Sequence, residues 1–358
     1  MRRIKESVCK LSQYSVSQDD SLIKLNQNES PFDIPLKIKE EIFNRMKKVS
    51  WNRYPLEGAD LLIQKISEYT DFSSHGIMVG NGSNELIQAI IHATCDSGDK
   101  ILTVQPGFSI YKRIAAVMNI ETIEVPLKKN FSFDKDIIIE KGKKARLVIL
   151  ASPNNPTGTV LTLEKVKKIA QNINGILALD EAYYEFYKKT AQNLIDEINN
   201  IIILRTFSKA LGSAGIRLGY LLGKNQIVKE LRKAKLPFSL GGFQQMAGEI
   251  VMKRKEFIVE GVKRILMERD RVFDELTKFQ SIQPIPSDAN FILFQSKNMS
   301  GKELFEILFK NRILVRYFDI PRLKNMLRVT IGTHEENNLF LGTLRQITEG
   351  GSYESGDI

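Results

Sequence analysis

Between residues 77 and 223, short aliphatic or β-branched runs alternate with segments whose apolar residues recur at helical spacing. The runs predict strands at 100–104, 120–125, 146–151, 175–180, 201–205 and 218–223. The intervening segments predict helices at 84–93, 109–118, 163–172 and after Ala182. This alternation is typical of βα units, so the sequence predicts an α/β fold with a mainly parallel sheet. Several runs are apolar throughout, as expected when helices cover both faces of a sheet.

The pattern changes near residue 240. A long charged amphipathic helix is predicted at about 244–279, followed by strands at 290–294, 313–316 and 327–331 and helices near 302–310 and 335–347. This succession predicts a second, smaller α+β domain. We therefore divide the chain into an N-terminal arm (1–30), a large domain (31–240) and a small C-terminal domain (241–358), with which part of the N-terminal segment could pack.

The composition is that of an ordinary globular protein, with 42% hydrophobic and 26% charged residues among 358. The net charge of +10 would suit a nucleic-acid-binding protein, but the lysines are spread over many segments and alternate with acids, as at 37–48, 128–144 and 224–235. We interpret these segments as solvated helix faces and loops. The charge therefore favours anionic small substrates, and no nucleic-acid partner is expected.

Two cysteines, Cys9 and Cys95, are too few for a disulfide framework, which favours a reducing compartment. No apolar run approaches the roughly 20 residues of a membrane helix, so we expect a cytoplasmic protein without membrane contact. The three histidines, His75, His92 and His334, are isolated from one another, and no metal site is predicted. A nicotinamide-dependent dehydrogenase is disfavoured because no Gly-x-Gly-x-x-Gly follows a predicted strand.

Polar residues follow three successive predicted strands. The first ends in Ser152-Pro153-Asn154-Asn155-Pro156-Thr157-Gly158, the second in Asp180-Glu181-Ala182-Tyr183, and the third continues into Ser208-Lys209. In an open α/β sheet, ligands bind at the carboxyl ends of the strands. A buried Asp180 needs a cation. The sequence leaves two interpretations open: Asp180 and Lys209 form a structural ion pair, or each faces a cofactor.

A further candidate is the segment Gly80-Asn81-Gly82-Ser83-Asn84-Glu85, just where a helix is predicted to begin. Small residues at a helix N-terminus expose unpaired N–H groups to an anion such as a phosphate. The alternative is a simple turn with Ser83 as the helix cap.

Together these motifs resemble the fold-type I pyridoxal 5'-phosphate (PLP)-dependent aminotransferases of class I/II, and most of all the histidinol-phosphate aminotransferases. The motifs around Asn155, Asp180, Lys209 and Arg217 occur in the family order, and the resemblance extends from residues 25–29 and Arg53-Tyr54-Pro55 to 327–332. It implies a large domain with a mainly parallel seven-stranded sheet flanked by helices, and a homodimer with shared active sites.

The resemblance also implies a role for each site residue. Lys209 is the catalytic amine that forms the Schiff base with PLP, and Asp180 is the carboxylate that keeps the pyridine nitrogen protonated. Asn155 and Tyr183 donate to the phenolic oxygen, and Phe108 either stacks on the ring or is a core aromatic. The resemblance assigns the cofactor phosphate to Gly82, Ser83, Asn84, Ser208 and Arg217, with Tyr54 from the neighbouring subunit.

For the substrate, the resemblance implies that Arg328 grips a carboxylate and that Asn28 and Tyr14 contribute contacts from the arm. The usual Tyr-x-Pro-Gly motif of the arm reads Tyr14-Ser15-Val16-Ser17 here, and Phe108 stands where many relatives carry tyrosine. We predict a transaminase of histidine biosynthesis that reversibly interconverts histidinol phosphate and 2-oxoglutarate with imidazole-acetol phosphate and glutamate. The alternatives are an aromatic amino acid aminotransferase and a threonine-phosphate decarboxylase.

Overall fold

The computed structural model describes residues 3–13 and 22–350. Its strands are β1 Ile23–Lys24, β2 Ile77–Asn81, β3 Lys100–Gln105, β4 Glu121–Pro126, β5 Leu147–Ala151, β6 Ile176–Asp180, β7 Ile201–Thr206, β8 Leu218–Gly223, β9 Ile282–Pro284, β10 Phe291–Ser296, β11 Ile313–Leu314, β12 Arg316–Tyr317 and β13 Met326–Thr330. The helices are α1 Glu6–Cys9, α2 Leu36–Met46, α3 Asp60–Thr70, α4 Gly82–Thr94, α5 Ile110–Val117, α6 Lys135–Gly142, α7 Leu163–Asn172, α8 Tyr184–Tyr187, α9 Leu194–Glu197, α10 Asn225–Ala234, α11 Gly242–Lys253, α12 Glu256–Thr277, α13 Gly301–Lys310 and α14 His334–Glu349.

A seven-stranded sheet in the order β2-β8-β7-β6-β5-β3-β4 forms the centre of the molecule. Only β8 runs against its neighbours, because it pairs antiparallel with both β2 and β7 while the other pairs are parallel. The predicted α/β class and the mainly parallel seven-stranded sheet are thus confirmed. The strand β2 was not predicted, because Gly80 and Asn81 at its end resemble a turn in the sequence.

Both faces of this sheet are covered, which explains why several of its strands are apolar throughout. Alternate residues belong to two separate hydrophobic clusters: Ile149 and Ile202 to one, and their neighbours Leu150 and Ile203 to the other. The first cluster includes buried residues of α4 and α5. Because successive side chains of a strand point to opposite faces, an apolar run is the pattern expected of a strand with helices on both sides.

The C-terminal part of the chain contains a four-stranded antiparallel sheet in the order β12-β13-β10-β9. Two predictions for this part were wrong. The predicted strand at 313–316 is divided between two sheets, because β11 pairs with β1 while β12 pairs with β13. The predicted helix at 244–279 is two helices, α11 and α12, separated by a turn at Arg254 and Lys255. The helix α11 is buried over most of its length and packs on α2 and α3, a different environment from that of α12.

The segment that follows β1 joins the two larger sheets. Leu25 N donates to Leu314 O at 2.8 Å, and Leu25 O accepts from Thr330 N at 2.9 Å. Residues 26–28 then continue to the carboxyl ends of the strands in the seven-stranded sheet. The predicted domain boundaries near residues 30 and 240 stay a prediction. Among the described residues, no helix is both long and apolar enough to cross a membrane.

Candidate active site

A pocket of about 540 Å³ lies between the carboxyl ends of β3, β5, β6 and β7 and the four-stranded sheet. Most of the residues predicted from the sequence line this pocket: Asn28, Ser83, Asn84, Phe108, Asn155, Asp180, Tyr183, Ser208, Lys209, Arg217 and Arg328. The parallel strands bring these residues together because each strand ends at the same edge of the sheet.

Asp180 is the last residue of β6 and is buried. Its Oδ2 accepts from Tyr111 Oη at 2.6 Å, and its Oδ1 accepts from Ala182 N at 3.0 Å. Burial raises the pKa of Asp180, and the hydrogen bonds from Tyr111 and Ala182 act against that rise. Both hydrogen-bond donors are neutral, so the buried carboxylate can still accept a hydrogen bond from a cationic group in the pocket.

Lys209 does not use Asp180 as its hydrogen-bond partner. Its Nζ donates to Gln27 O at 2.7 Å. The ion pair between strand ends is instead formed by Glu181 and Arg205, at 3.0 Å, with both side chains 2% exposed. The structural interpretation of an Asp180–Lys209 pair is therefore not supported, and both residues face the pocket.

The amine of Lys209 has an unusual protonation equilibrium. Burial lowers its pKa to about 7, and the positive charges of Arg328 and Arg217 act in the same direction. A substantial fraction of this amine is therefore neutral at physiological pH, which is the form that can act as a nucleophile or base.

A cup for an anion lies where β8 meets the first turn of α4. Gly82 begins α4 with φ +73°, and a Cβ there would lie 2.7 Å from Arg217 Nη2. A Cβ on Gly219 would lie 2.5 Å from the backbone Ser83 N, so this position has no room for a side chain, while the positive φ of Gly82 itself favours glycine. Arg217 Nη1 donates to Ser208 Oγ at 3.2 Å. Helix N–H groups, a hydroxyl and a guanidinium thus converge, as phosphate binding requires.

Arg328 enters the pocket from β13 and is buried. Its Nη1 donates to Asn155 Oδ1 and its Nη2 to Asn26 O, both at 2.5 Å. Beside it, Asn28 Nδ2 donates to Tyr183 Oη at 2.8 Å. Burial raises the pKa of Tyr183, which keeps the phenol protonated. These contacts fix the orientation of four predicted site residues relative to one another.

Phe108, Tyr54 and Tyr14 complete the set of predicted residues. The Phe108 ring lines the pocket and meets Tyr111 edge to face, with ring centroids 5.4 Å apart. Tyr54 is outside the pocket of its own chain among the described residues; it is 82% exposed and stacks on Phe238. Tyr14 lies outside the described residues.

Tyr111 and Arg316 are two of the pocket residues that the sequence did not indicate. Tyr111, three residues after Phe108 and in the first turn of α5, donates to Asp180. Arg316 lies directly opposite Arg328 in the antiparallel pair of β12 and β13, so both point to the same face. Both guanidinium groups lie near the Phe318 ring, at 5.8 and 5.6 Å from its centroid.

The fold and the lysine-containing pocket together define a class of enzyme. The family model "Aminotransferase class I and II" matches residues 20–344, and the chain therefore belongs to this family. It has the fold-type I architecture and is a PLP-dependent transaminase.

Individual relatives and solved structures give a narrower comparison than the family model. The chain is 37% identical to the histidinol-phosphate aminotransferase of Clostridium kluyveri over 96% of its own length and 98% of the relative's. It is 38% identical to that of Prosthecochloris aestuarii over 95% and 96% of the two chains. Among solved structures it resembles the enzyme of that name from Clostridium acetobutylicum (TM-score 0.84, 27% identity, 91% and 99% covered). The one from Sinorhizobium meliloti, in complex with pyridoxal-5'-phosphate, has a TM-score of 0.88 at 22% identity, with 98% of each chain covered.

Proposed function

We propose that this transaminase moves an amino group between glutamate and imidazole-acetol phosphate, as a cytoplasmic enzyme of histidine biosynthesis. The reaction is reversible and interconverts histidinol phosphate and 2-oxoglutarate with imidazole-acetol phosphate and glutamate. The names of the relatives support this substrate. In the structure, the observation that carries the proposal is the pair of arginines, Arg316 and Arg328, on one face of the pocket.

Two like charges directly opposite each other on neighbouring strands destabilise a sheet unless an anion lies between them. A phosphate monoester carries a charge of about −1.5 to −2 near neutral pH and can accept hydrogen bonds from two guanidinium groups. The α-carboxylate of glutamate carries a single charge and needs only the buried Arg328. The second arginine therefore favours a phosphate substrate over an aromatic amino acid.

The residues of the pocket also fit PLP as the cofactor. When bound, PLP supplies an electron sink that stabilises the negative charge left at the substrate Cα when its proton is removed. Lys209 Nζ, in its neutral form, removes that proton, and Asp180 keeps the pyridine nitrogen protonated. The cup formed by the first turn of α4 with Ser208 and Arg217 binds the cofactor phosphate. Asn155 and Tyr183, which line the pocket, would donate to the phenolic oxygen of the ring.

We also propose that the active unit is a homodimer in which Tyr54 reaches the cofactor phosphate of the partner. Several large apolar side chains of the described residues are exposed in the same part of the sequence: Trp51 at 79%, Tyr54 at 82% and Leu56 at 69%. Leu236, at 74%, adds to them. Exposed apolar groups of this size support an interface, because an isolated chain would leave them in water.

A substrate panel tests the proposed reaction. The purified enzyme is given 2-oxoglutarate with histidinol phosphate, phenylalanine or threonine phosphate, and the new keto product or carbon dioxide is measured. We expect turnover of histidinol phosphate to be the fastest. Turnover of phenylalanine alone would make the enzyme an aromatic aminotransferase, and carbon dioxide from threonine phosphate would make it a decarboxylase.

Substitution of the two arginines tests the observation on which the proposal depends. Arg328→Met should weaken both half-reactions by comparable factors, since a lost charge-assisted contact costs about 2–5 kcal/mol. Arg316→Met should weaken the histidinol phosphate half-reaction far more than the glutamate half-reaction. Stopped-flow measurement of each half-reaction separates the two effects. Equal losses in Arg316→Met would contradict its assignment to the phosphate.

A further inference from the structure

Arg322 connects the segment that carries Arg316 to the opposite wall of the pocket. Arg316, Phe318 and Ile320 line the pocket, and the short 3₁₀ turn Pro321–Leu323 follows directly. The guanidinium of Arg322 donates to the backbone carbonyls of two successive residues, Leu127 and Lys128. Arg322 thus joins the C-terminal part of the chain to the loop that follows β4.

The Arg322 side chain is further fixed by an aromatic ring of the same loop. Its guanidinium lies over Phe131, 4.8 Å from the ring centroid, and Phe131 is itself buried. A planar guanidinium can donate two parallel hydrogen bonds and stack on a ring at once, whereas a lysine ammonium cannot. The contact therefore depends on arginine in particular and not only on a positive charge.

The loop contacted by Arg322 is tied to the pocket wall at both of its ends. Leu127 N donates to Gln105 O at 2.9 Å, and Gln105 lines the pocket. At the other end, Phe131 O accepts from Thr159 Oγ1 at 3.0 Å, and Thr159 is hydrogen-bonded to Thr157 at 2.7 Å. Thr157 belongs to the turn that carries Asn155, the partner of Arg328. Hydrogen bonds at both ends therefore fix the loop to the pocket wall, where it can hold the Arg322 side chain in place.

The backbone of the segment that carries Arg316 has few hydrogen bonds to the rest of the described chain, although Tyr317 packs near Phe305 and Leu323 is buried. The strand β12 is two residues long and lies at the edge of its sheet, where among the described residues it pairs only with β13. Beyond it, Ile320 N and Leu323 N donate to Phe318 O and Ile320 O, which are bonds within the segment. A short edge strand has few hydrogen bonds to hold its backbone, so a contact with a separate wall of the pocket affects where Arg316 points.

We propose that Arg322 is a positioning residue for the phosphate substrate: it holds residues 316–320 against the pocket so that Arg316 and Arg328 bind one phosphate together. Arg322 does not line the pocket, so any effect it has on the substrate must pass through the position of Arg316. This inference rests on the proposed function, because it requires a phosphate between the two arginines. It predicts that loss of Arg322 impairs phosphate recognition while it leaves the chemistry at Lys209 intact.

The test compares Arg322→Met and Arg322→Lys with Arg345→Met in the PLP-loaded enzyme. Arg345 is a matched control, since it also stacks on a phenylalanine, Phe279, and pairs with Glu275 away from the pocket. Three quantities are measured: KM and kcat for histidinol phosphate, KM for glutamate, and the Kd of inorganic phosphate from the visible absorption of the bound cofactor.

In Arg322→Met we expect KM for histidinol phosphate and Kd for phosphate to rise about tenfold, because misplacement of a binding group by about 1 Å has effects of this size or larger. KM for glutamate and kcat should change less than about twofold. Arg322→Lys should lie close to the methionine variant, and Arg345→Met should match the wild type.

Unchanged phosphate affinity in a folded Arg322→Met would overturn the inference, and so would an equal loss for glutamate and histidinol phosphate. If the methionine variant does not fold, the lysine variant decides between the same outcomes. A wild type that ignores histidinol phosphate refutes the proposed function instead. In that case the Kd of inorganic phosphate for the same variants still shows whether Arg322 positions Arg316.

Discussion

At the scale of single residues, burial in the pocket shifts the pKa values of an acid and a base in opposite directions. Burial raises the pKa of Asp180 and lowers that of Lys209 to about 7, because in each case the charged form loses its hydration. Perturbed groups of this kind cluster at functional sites. The neighbouring pair of Glu181 and Arg205 is different, since each buried charge there already has its partner.

Asp180→Asn keeps the shape of the side chain but removes its charge. If Asp180 keeps the pyridine nitrogen protonated, the variant should fold and bind PLP but lose roughly two to four orders of magnitude in turnover. Steady-state kinetics and the absorption spectrum of the bound cofactor measure both properties. Near-normal turnover would mean that Asp180 has only a structural role with Tyr111.

Lys209 should react with PLP in a pH range set by its lowered pKa. An amine attacks only when it is neutral, so the rate of PLP attachment to the apoenzyme should rise with pH through about 7 and then level off. Stopped-flow absorption between pH 5.5 and about 9 follows this rate. A rise that continues toward the ordinary lysine range near pH 10.4 would contradict it.

Lys209→Ala should purify colourless, and borohydride should reduce PLP onto Lys209 in the wild type.

At the scale of secondary-structure elements, the antiparallel strand β8 and the helix α4 approach each other closely enough to form the anion cup. Gly219 on β8 faces the first turn of α4, and Ser83 N lies 2.5 Å from where a Cβ on Gly219 would be. Arg217, just before β8, has a positive φ of +59° that turns its side chain toward the same turn. The cup thus depends on the spacing of two elements rather than on a single residue.

Gly219→Ala should weaken PLP binding. The added methyl group would lie 2.5 Å from Ser83 N and must push the first turn of α4 away from β8. We expect the Kd of PLP to rise about tenfold or more, which corresponds to about 1.4 kcal/mol, as measured by fluorescence titration of the apoenzyme. The control is Gly342→Ala in α14, where a Cβ meets nothing within 4 Å. Equal affinities in the two variants would show that the close approach is unimportant for the cofactor.

At the scale of the whole molecule, the pocket is built from both larger sheets and from the segment after β1. Arg328 belongs to the four-stranded sheet, Asp180 to the seven-stranded sheet, and Gln27 to the connecting segment. Tyr54 is exposed on its own chain, which agrees with the proposal that it reaches the site of a second copy. A complete site on this interpretation needs two chains.

Mixing of two inactive variants tests this assignment. Tyr54→Ala and Lys209→Ala homodimers should each have little activity, but a mixed dimer has one site with both native residues. Subunit exchange should therefore restore part of the activity, and kinetics at increasing mixing ratios would measure it. If mixing restores nothing, or if Tyr54→Ala binds PLP as tightly as the wild type, Tyr54 has no role across the interface.

Much of the site followed from local sequence signals. Apolar runs predicted five of the strands in the parallel part of the large sheet and β8 to within one or two residues, and the polar residues at their ends were predicted to meet at one edge. The same motifs indicated the family, and the match of the family model to residues 20–344 confirmed it. The roles of Lys209, Asp180 and the other site residues stay predictions until the variants are measured.

The sequence alone therefore determined the class of fold, the family and the set of polar residues at the strand ends, because periodicity and motif spacing are local properties of the chain. Only the tertiary structure decided which distant residues became partners: Tyr111 with Asp180, Arg316 with Arg328, and Arg322 with the loop after β4. It also divided 313–316 between two sheets, because β1 pairs with 313–314 while β13 pairs with 316–317. Such pairings depend on the path of the whole chain, and a local pattern of apolar and polar residues does not predict that path.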